Sequence, residues 1–179
     1  MGIRARIFLL IFLSLSISIT ISYIIAERDL TKTFEEQILD QLEKQASLLV
    51  EYIDEVDSLL INNNADSIAD RLGNASNSRV TLILNNGKVI GDSYIDEKEL
   101  SQLDDHSTRE EFIEAMKYGF GWSSRYSASV KQQQLYFAVR DNNEVSPNII
   151  RIAVPYTYLD QAIQSLDLSI LLVAMVALL

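Results

Sequence analysis

The chain has 179 residues, a net charge of −10, 48% hydrophobic residues, one histidine and no cysteine. That length suits one domain, and the apolar fraction is enough for a core or for membrane segments. Disulfides, thiolate catalysis and cysteine-bound metals are excluded, and the acidic balance opposes nucleic acid, so no nucleic-acid partner is expected.

Ile7 to Ala26 is a run of 20 uncharged residues. At about 1.5 Å rise per residue it matches the roughly 30 Å apolar thickness of a bilayer. Arg4 and Arg6 precede it, and Glu27, Arg28 and Asp29 follow. The positive flank sets residues 1–6 in the cytoplasm, 7–26 in the membrane and the following residues outside. A cleaved signal peptide has an apolar stretch of only roughly 7–15 residues and a small-x-small cleavage site. Here Ala26 is small but Ile24 is bulky, so a retained anchor is expected. After Asp167 come 12 uncharged residues ending at Leu179, about 18 Å of helix and too short to span. Residues 168–179 therefore read as a second membrane helix cut short, and the chain as the N-terminal part of a two-pass protein of the plasma or inner membrane. Residues 27–167, expected to be extracytoplasmic, hold all 25 Asp and Glu and 13 of the 15 Lys and Arg, a net −12.

From Asp29 to Leu60 there is neither glycine nor proline, and Leu30, Phe34, Ile38, Leu42, Ala46, Leu49, Ile53, Val56 and Leu60 recur at spacings of three or four. This predicts a long amphipathic helix within residues 27–64, suited both to pairing with a second copy and to packing on its own domain. A short helix restarts after Asn62 to Asn64, with Gly73 as its expected left-handed cap. "RVTLILNNGKVIGDS" reads as a hairpin turning at Asn86-Gly87, with Val80, Leu82 and Leu84 on one strand face and Thr81 and Ile83 on the other. Both faces are largely apolar, the mark of a central strand covered on both sides.

A polar stretch, Asp96 to Asp105, leads to "STREEFIEAMKYG". Ser107 or Thr108 is the expected cap, Glu110 and Glu111 suit the first turn, Phe112, Ile113, Ala115 and Met116 the core side, and Gly119 the end. Strands are expected at Gly121 to Ser129, Gln134 to Arg140 and Asn148 to Val154. "PYTYLDQAIQSLDLSILL" then predicts a helix over residues 157–167 that runs into the second membrane segment. The order describes an α+β domain over residues 65–156, with five antiparallel strands and helices on one sheet face.

"GFGWSSRYSASV", Gly119 to Val130, has the glycines of a phosphate cradle, but they follow a helix and precede a strand, the reverse of a phosphate loop. By strand alternation Trp122 and Tyr126 share one face and Arg125 takes the other. His106, beside Asp104 and Asp105, is a candidate ion ligand or pH-responsive group, although a turn before a helix needs polar caps in any case. "DEVD" at Asp54 to Asp57 is rich in oxygen donors, as any solvated helix face can be. Arg109, Arg125 and Arg151 are candidate grips for carboxylate or phosphate, or partners of local acids. With one possible base and no nucleophile beside it, no catalytic residue, cofactor or metal site is assigned. A folded domain between two membrane helices can pass a change across the membrane only by moving them, which is receptor architecture.

"RVTLILNNGKVIGDS", "DDHSTREEFIEAMKYGFGWSSRYSAS", "LYFAVR" and "IIRIAVP" resemble the extracytoplasmic PAS-like sensor domain of phosphate-regulon-type sensor histidine kinases. The resemblance covers roughly Arg79 to Ala162; its most specific parts are His106 with Arg109 and Glu111, Gly119-x-Gly121, and Arg125-Tyr126-Ser127. Glu110 stands where the family commonly has proline, and the link from Asp141 to Asn148 is longer and more polar. The resemblance implies a PAS-like sheet with a long N-terminal helix between two transmembrane helices. It also implies a homodimer through the long helix and membrane helices, and a cytoplasmic kinase using ATP and Mg to phosphorylate a response regulator. Polar positions singled out for a ligand or a structural role are His106, Arg109, Arg125, Tyr126 and Arg151. A chemoreceptor or cyclase sensor, or a membrane-tethered interaction protein, shares the layout, and the sequence beyond Leu179 separates them.

Overall fold

The computed structural model describes residues 2–55, 58–141 and 147–156. The helix and membrane segment expected over 157–179, and part of the 141–148 link, lie outside the described residues. Among the described residues nine elements follow in order: α1 (Ile3–Glu55), α2 (Ser58–Ser76), β1 (Arg79–Ile83), β2 (Val89–Asp92), α3 (Glu97–Leu100), α4 (Glu110–Tyr118), β3 (Phe120–Ser127), β4 (Gln132–Arg140) and β5 (Ile149–Pro155). Contacts divide the chain into two units, one holding residues 1–37 and the other residues 38–158.

In the first unit α1 contains the apolar run, with mean hydropathy 2.4 over its most apolar 18 residues and none of them buried by protein. Ser16 and Thr20 donate their hydroxyls to the carbonyls of Phe12 and Ser16, both at 2.9 Å. Hydroxyls satisfied within the helix leave an almost wholly apolar surface, the condition for a candidate membrane span.

In the second unit all five strands run antiparallel in the order β2-β1-β5-β4-β3. Alternation sorts their side chains. Val80, Leu82, Leu135, Phe137, Ile150, Ile152 and Val154 meet Leu42, Ala46, Leu49 and Ile53 of α1 and Ala65, Ile68, Ala69 and Leu72 of α2. Ile83, Val89, Ala138 and Ile149 meet Phe112 and Ala115 of α4 in a second, smaller cluster. Helices therefore cover both faces of the sheet, not one. The two-sided apolar pattern of β1, all five residues of which are buried, carries that result.

Local geometry departs from expectation at several places. Gly73 does not cap α2: the helix runs on to Ser76, and Asn77 takes the left-handed turn at φ 49°. A side chain at Gly73 would collide with Ser93, so the glycine serves close packing. The kink in α2 falls at Asn64, where the restart was expected. In the hairpin only Gly87 has positive φ (84°), and its N–H bonds the Leu84 carbonyl at 2.9 Å. The turn is thus followed by a left-handed glycine, rather than having two left-handed residues.

The cap of α4 is Arg109, without a side-chain hydrogen bond, because Asp105 takes both the N–H and the hydroxyl of Ser107 at 2.8 Å. Ile113 is exposed, and Glu111, expected to be a solvated first-turn acid, is fully buried. A single turn of helix, α3, lies within the polar stretch Asp96 to Asp105. Gly119 does cap α4, at φ 93°, with its N–H on the Ala115 carbonyl at 2.9 Å. Gly121 lies inside β3, which starts one residue earlier than expected, and a side chain there would strike the backbone of Glu111 and Ala115.

Candidate functional site

The sheet face toward α4 is apolar only where that helix covers it. Register then aligns a polar field in rows: Asp92, Thr81, Arg151 and Ala138; next Arg79, Ala153, Tyr136 and Ser123; then Gln134 beside Arg125. Strand periodicity thus brings three arginines, more than 70 positions apart at the extremes of the sequence, to one side of one sheet. The loop ahead of α4 closes over them, anchored by the His106 N–H on the Gly87 carbonyl at 3.1 Å. A cavity of about 440 Å³ results, with His106, Arg109, Arg125, Tyr126, Tyr136 and Arg151 in its wall.

Two buried carboxylates organise these cations. Asp92 accepts from Arg79 Nε (2.9 Å) and Nη2 (2.9 Å) and from the Thr81 hydroxyl (2.8 Å). Glu111 accepts from Ser123 Oγ (2.6 Å), Arg125 Nη2 (2.6 Å) and Arg151 Nη1 (3.2 Å). Arg151 Nη2 donates to Thr81 at 3.1 Å, linking the two groups. Tyr136 lies under both arginine partners of Glu111, with its ring centroid 3.8 Å from the Arg125 guanidinium and 4.8 Å from that of Arg151. Such stacking favours cations held away from water.

The cations exceed the carboxylates that serve them. Arg125 and Arg151 share Glu111, and the nearest acid to Arg109 is Asp104, 3.4 Å away with an 85% exposed side chain. Burial raises Glu111, but Arg151, the Ser123 hydroxyl and Arg125 outweigh it and hold its carboxyl below the ordinary value. Burial, then Arg151, Arg109 and Arg125, push His106 down to about 4. It is neutral at pH 7 because three guanidinium groups surround a desolvated ring. His106 Nδ1 and the Nε atoms of Arg109, Arg125 and Arg151 are buried without a hydrogen-bond partner among the described residues.

All five positions singled out from the sequence border this cavity: His106 and Arg151 are buried, Arg109 and Arg125 line it, and Tyr126 stands at the rim, 63% exposed. The expected split of β3 holds, with Trp122 and Tyr126 outward and Arg125 inward. Glu111 as an organiser, with Arg79, Asp92 and Tyr136, was not legible as site chemistry. The available signal was a single arginine or tyrosine inside an otherwise apolar strand, as in "IIRIAV" and "LYFAV".

A family model described as Single Cache-like matches residues 32–149, well over half of the chain. The chain belongs to this family. No curated protein matches the sequence. Among solved structures, its Cache domain is similar to the ligand-binding domain of the Campylobacter jejuni chemoreceptor Tlp3 in complex with L-valine, at TM-score 0.60 and 19% identity, covering 82% of this chain and 65% of that one. The Tlp3 sensory domain with isoleucine bound gives TM-score 0.60 and 21% identity, covering 82% and 64%. The sensor domain of the V. cholerae histidine kinase DctB gives TM-score 0.55 and 15% identity, covering 76% and 57%. The chain covers less than two thirds of each solved domain, and at these identities the likeness is one of fold. The five-stranded antiparallel sheet with its long N-terminal helix is the architecture of a Cache-type sensor domain.

Proposed function

We propose that this chain is the sensory and membrane-anchoring part of a two-component sensor histidine kinase of phosphate-regulon-type layout. The Cache domain lies outside the membrane, the N-terminus inside, and a small molecule entering the arginine-lined cavity is the signal. The output domain lies in sequence beyond Leu179 and uses ATP and Mg to phosphorylate its own histidine and then a response regulator. Two copies pair through the long helix and the membrane helices. The observation carrying this reading is the cavity itself: about 440 Å³, walled among the described residues by Arg79, Arg109, Arg125, Arg151, His106 and Tyr136. Ligand cavities are concave sites with a few convergent polar groups.

A chemoreceptor is the second reading, favoured by the fold shared with Tlp3. Tlp3 is solved with L-valine and with isoleucine, which makes amino acids natural first probes here. The test fuses residues 1–179 to a histidine kinase output module in vesicles and follows phosphoryl transfer across a panel of amino acids, carboxylates, phosphates and sugars. A response to one compound, lost in Arg125→Gln, is expected. A response untouched by Arg125→Gln, or no response to any compound, overturns the cavity as the sensor. Methylation helices instead of a histidine-bearing helix pair beyond Leu179 overturn the kinase assignment.

A further inference from the structure

We infer that the cavity takes a small oxyanion, carboxylate or phosphate in chemistry, together with one proton that His106 carries. The inference rests on the reading of this cavity as the ligand site and adds the class of ligand and its coupling to pH.

The class follows from the charges. Four arginines border the cavity, Arg79 from β1, Arg109 at the head of α4, Arg125 from β3 and Arg151 from β5. The buried carboxylates are occupied: Asp92 by Arg79 and Thr81, Glu111 by Ser123, Arg125 and Arg151. Among the described residues that line the cavity only Asp104 remains, and it is exposed beside Arg109. A zwitterion would bring an ammonium group that finds no free buried carboxylate among the described residues, whereas an oxyanion meets the guanidinium groups of Arg109, Arg125 and Arg151 in the cavity wall. Charge-assisted hydrogen bonds from guanidinium to an oxyanion are the strong ones.

The proton follows from His106. The residue is buried, at 8% exposure, borders the same cavity, and leaves Nδ1 without a partner among the described residues. The charged or titratable groups lining that cavity are Arg79 from β1, Arg125 and Tyr126 from β3, Tyr136 from β4, Arg151 from β5, Arg109 at the head of α4 and Asp104 of its own loop. Neighbouring Asp105 is engaged with Ser107. The ring is neutral because burial and the three nearest guanidinium groups oppose a further positive charge. An anion among those guanidinium groups removes the repulsion and accepts from the protonated ring. Binding then raises the pKa of His106 from about 4, and affinity must strengthen as pH falls through the bound value.

His106 is the only histidine in the chain, so its imidazole can be followed as a single resonance. The full chain, without a polyhistidine tag and labelled at histidine Cε1, is titrated in micelles from pH 8 to pH 4. Succinate, acetate, inorganic phosphate and L-valine are the probes, with circular dichroism confirming the fold at each pH. One oxyanion should shift the resonance saturably and raise its midpoint by at least one pH unit. Its Kd should weaken by up to tenfold per pH unit between the free and bound midpoints. Arg125→Gln, which leaves Arg151 on Glu111, should abolish the shift. His106→Asn should leave binding in place but flatten its pH dependence. Whether a carboxylate or phosphate saturates the site assigns the source of the anion. An oxyanion bound with an unmoved histidine midpoint overturns the proton coupling and leaves the cavity as ligand site. Saturable binding of L-valine alone, lost in Arg125→Gln, overturns the anion class and leaves the cavity. Binding of none of the probes overturns the inference.

Discussion

Glu111 is a single carboxylate answering two guanidinium groups in a fully buried position. Breaking a buried pair by removing one partner costs about 3–5 kcal/mol, because the other charge is left unpaired away from water. Glu111→Gln, which keeps shape and removes charge, should therefore destabilise the domain by about 3 kcal/mol or more in urea unfolding followed by the single tryptophan. Arg151→Met should cost less, since Arg125 remains on Glu111 at 2.6 Å. Combining the two should recover part of the loss, and a strictly additive double variant would contradict this account. The pH dependence has a definite sign. His106 falls from 6.5 unfolded to about 4 folded, so between those values the unfolded chain binds more protons and stability declines as pH falls. Glu111, lowered from 4.5, adds stability above that value that is lost as pH falls through its folded pKa. Unfolding free energy measured from pH 7 to pH 3.5 should decline from about pH 6.5. His106→Asn should remove the upper part of that decline and leave the carboxylate part below about pH 4.5. A profile unchanged by His106→Asn would contradict the charged surroundings of the ring.

The joint between α4 and β3 holds that residue chemistry in place, and its two glycines act for different reasons. Gly119 sits at φ 93° with open space around the position of a Cβ, so Gly119→Ala meets only the backbone penalty, about 1 kcal/mol. Gly121 is where α4 lies directly on β3, and an added methyl meets backbone atoms of Glu111 and Ala115 that no rotamer change can withdraw. Gly121→Ala should cost about 3 kcal/mol, at the upper end of overpacking, and should weaken ligand response by lifting Glu111 from Arg125. Equal melting temperatures for the two variants would refute the distinction. The sequence made this joint recognisable but not its reason. Gly119 was legible because a helix end with a left-handed residue is local. Gly121 and Glu111 were not, because each is defined by an element whose contact is fixed only in three dimensions. The same limit explains Gly73, legible as a glycine that matters, yet serving the approach of Ser93 rather than a cap. Strand faces were legible from alternation, and it was the pairing order β2-β1-β5-β4-β3 that joined Arg79, Arg151 and Arg125 into one site.

On the scale of the whole molecule, the strands that hold the cavity also hold the long helix. Arg151 points into the polar field while its neighbours Ile150 and Ile152 join the cluster with Leu42, Ala46, Leu49 and Ile53 of α1. A change around Arg151 is thus one peptide away from the packing of α1, a short route from ligand to helix within the Cache domain. The remaining surface of α1 carries the proposal of a second copy. Leu48 is 64% exposed and Tyr52 40% exposed. With Gln41 and Gln45 they form a stripe at helical spacing beside the buried face. Two such stripes meeting would cover the exposed leucine and tyrosine. Because the chain has no cysteine, a single introduced thiol reports on one position only. Leu48→Cys in membrane vesicles should give a disulfide-linked dimer under mild oxidation. Glu43→Cys, which lies on the same helix about 140° around its axis, should give little. Equal yields from the two positions would mean that copies meet by random collision, and the pairing of long helices would fall with them. A ligand-dependent yield at Leu48→Cys alone would join the cavity to the helix in one measurement, since the oxidant reads a distance between α1 helices while the ligand touches only the opposite face of the sheet.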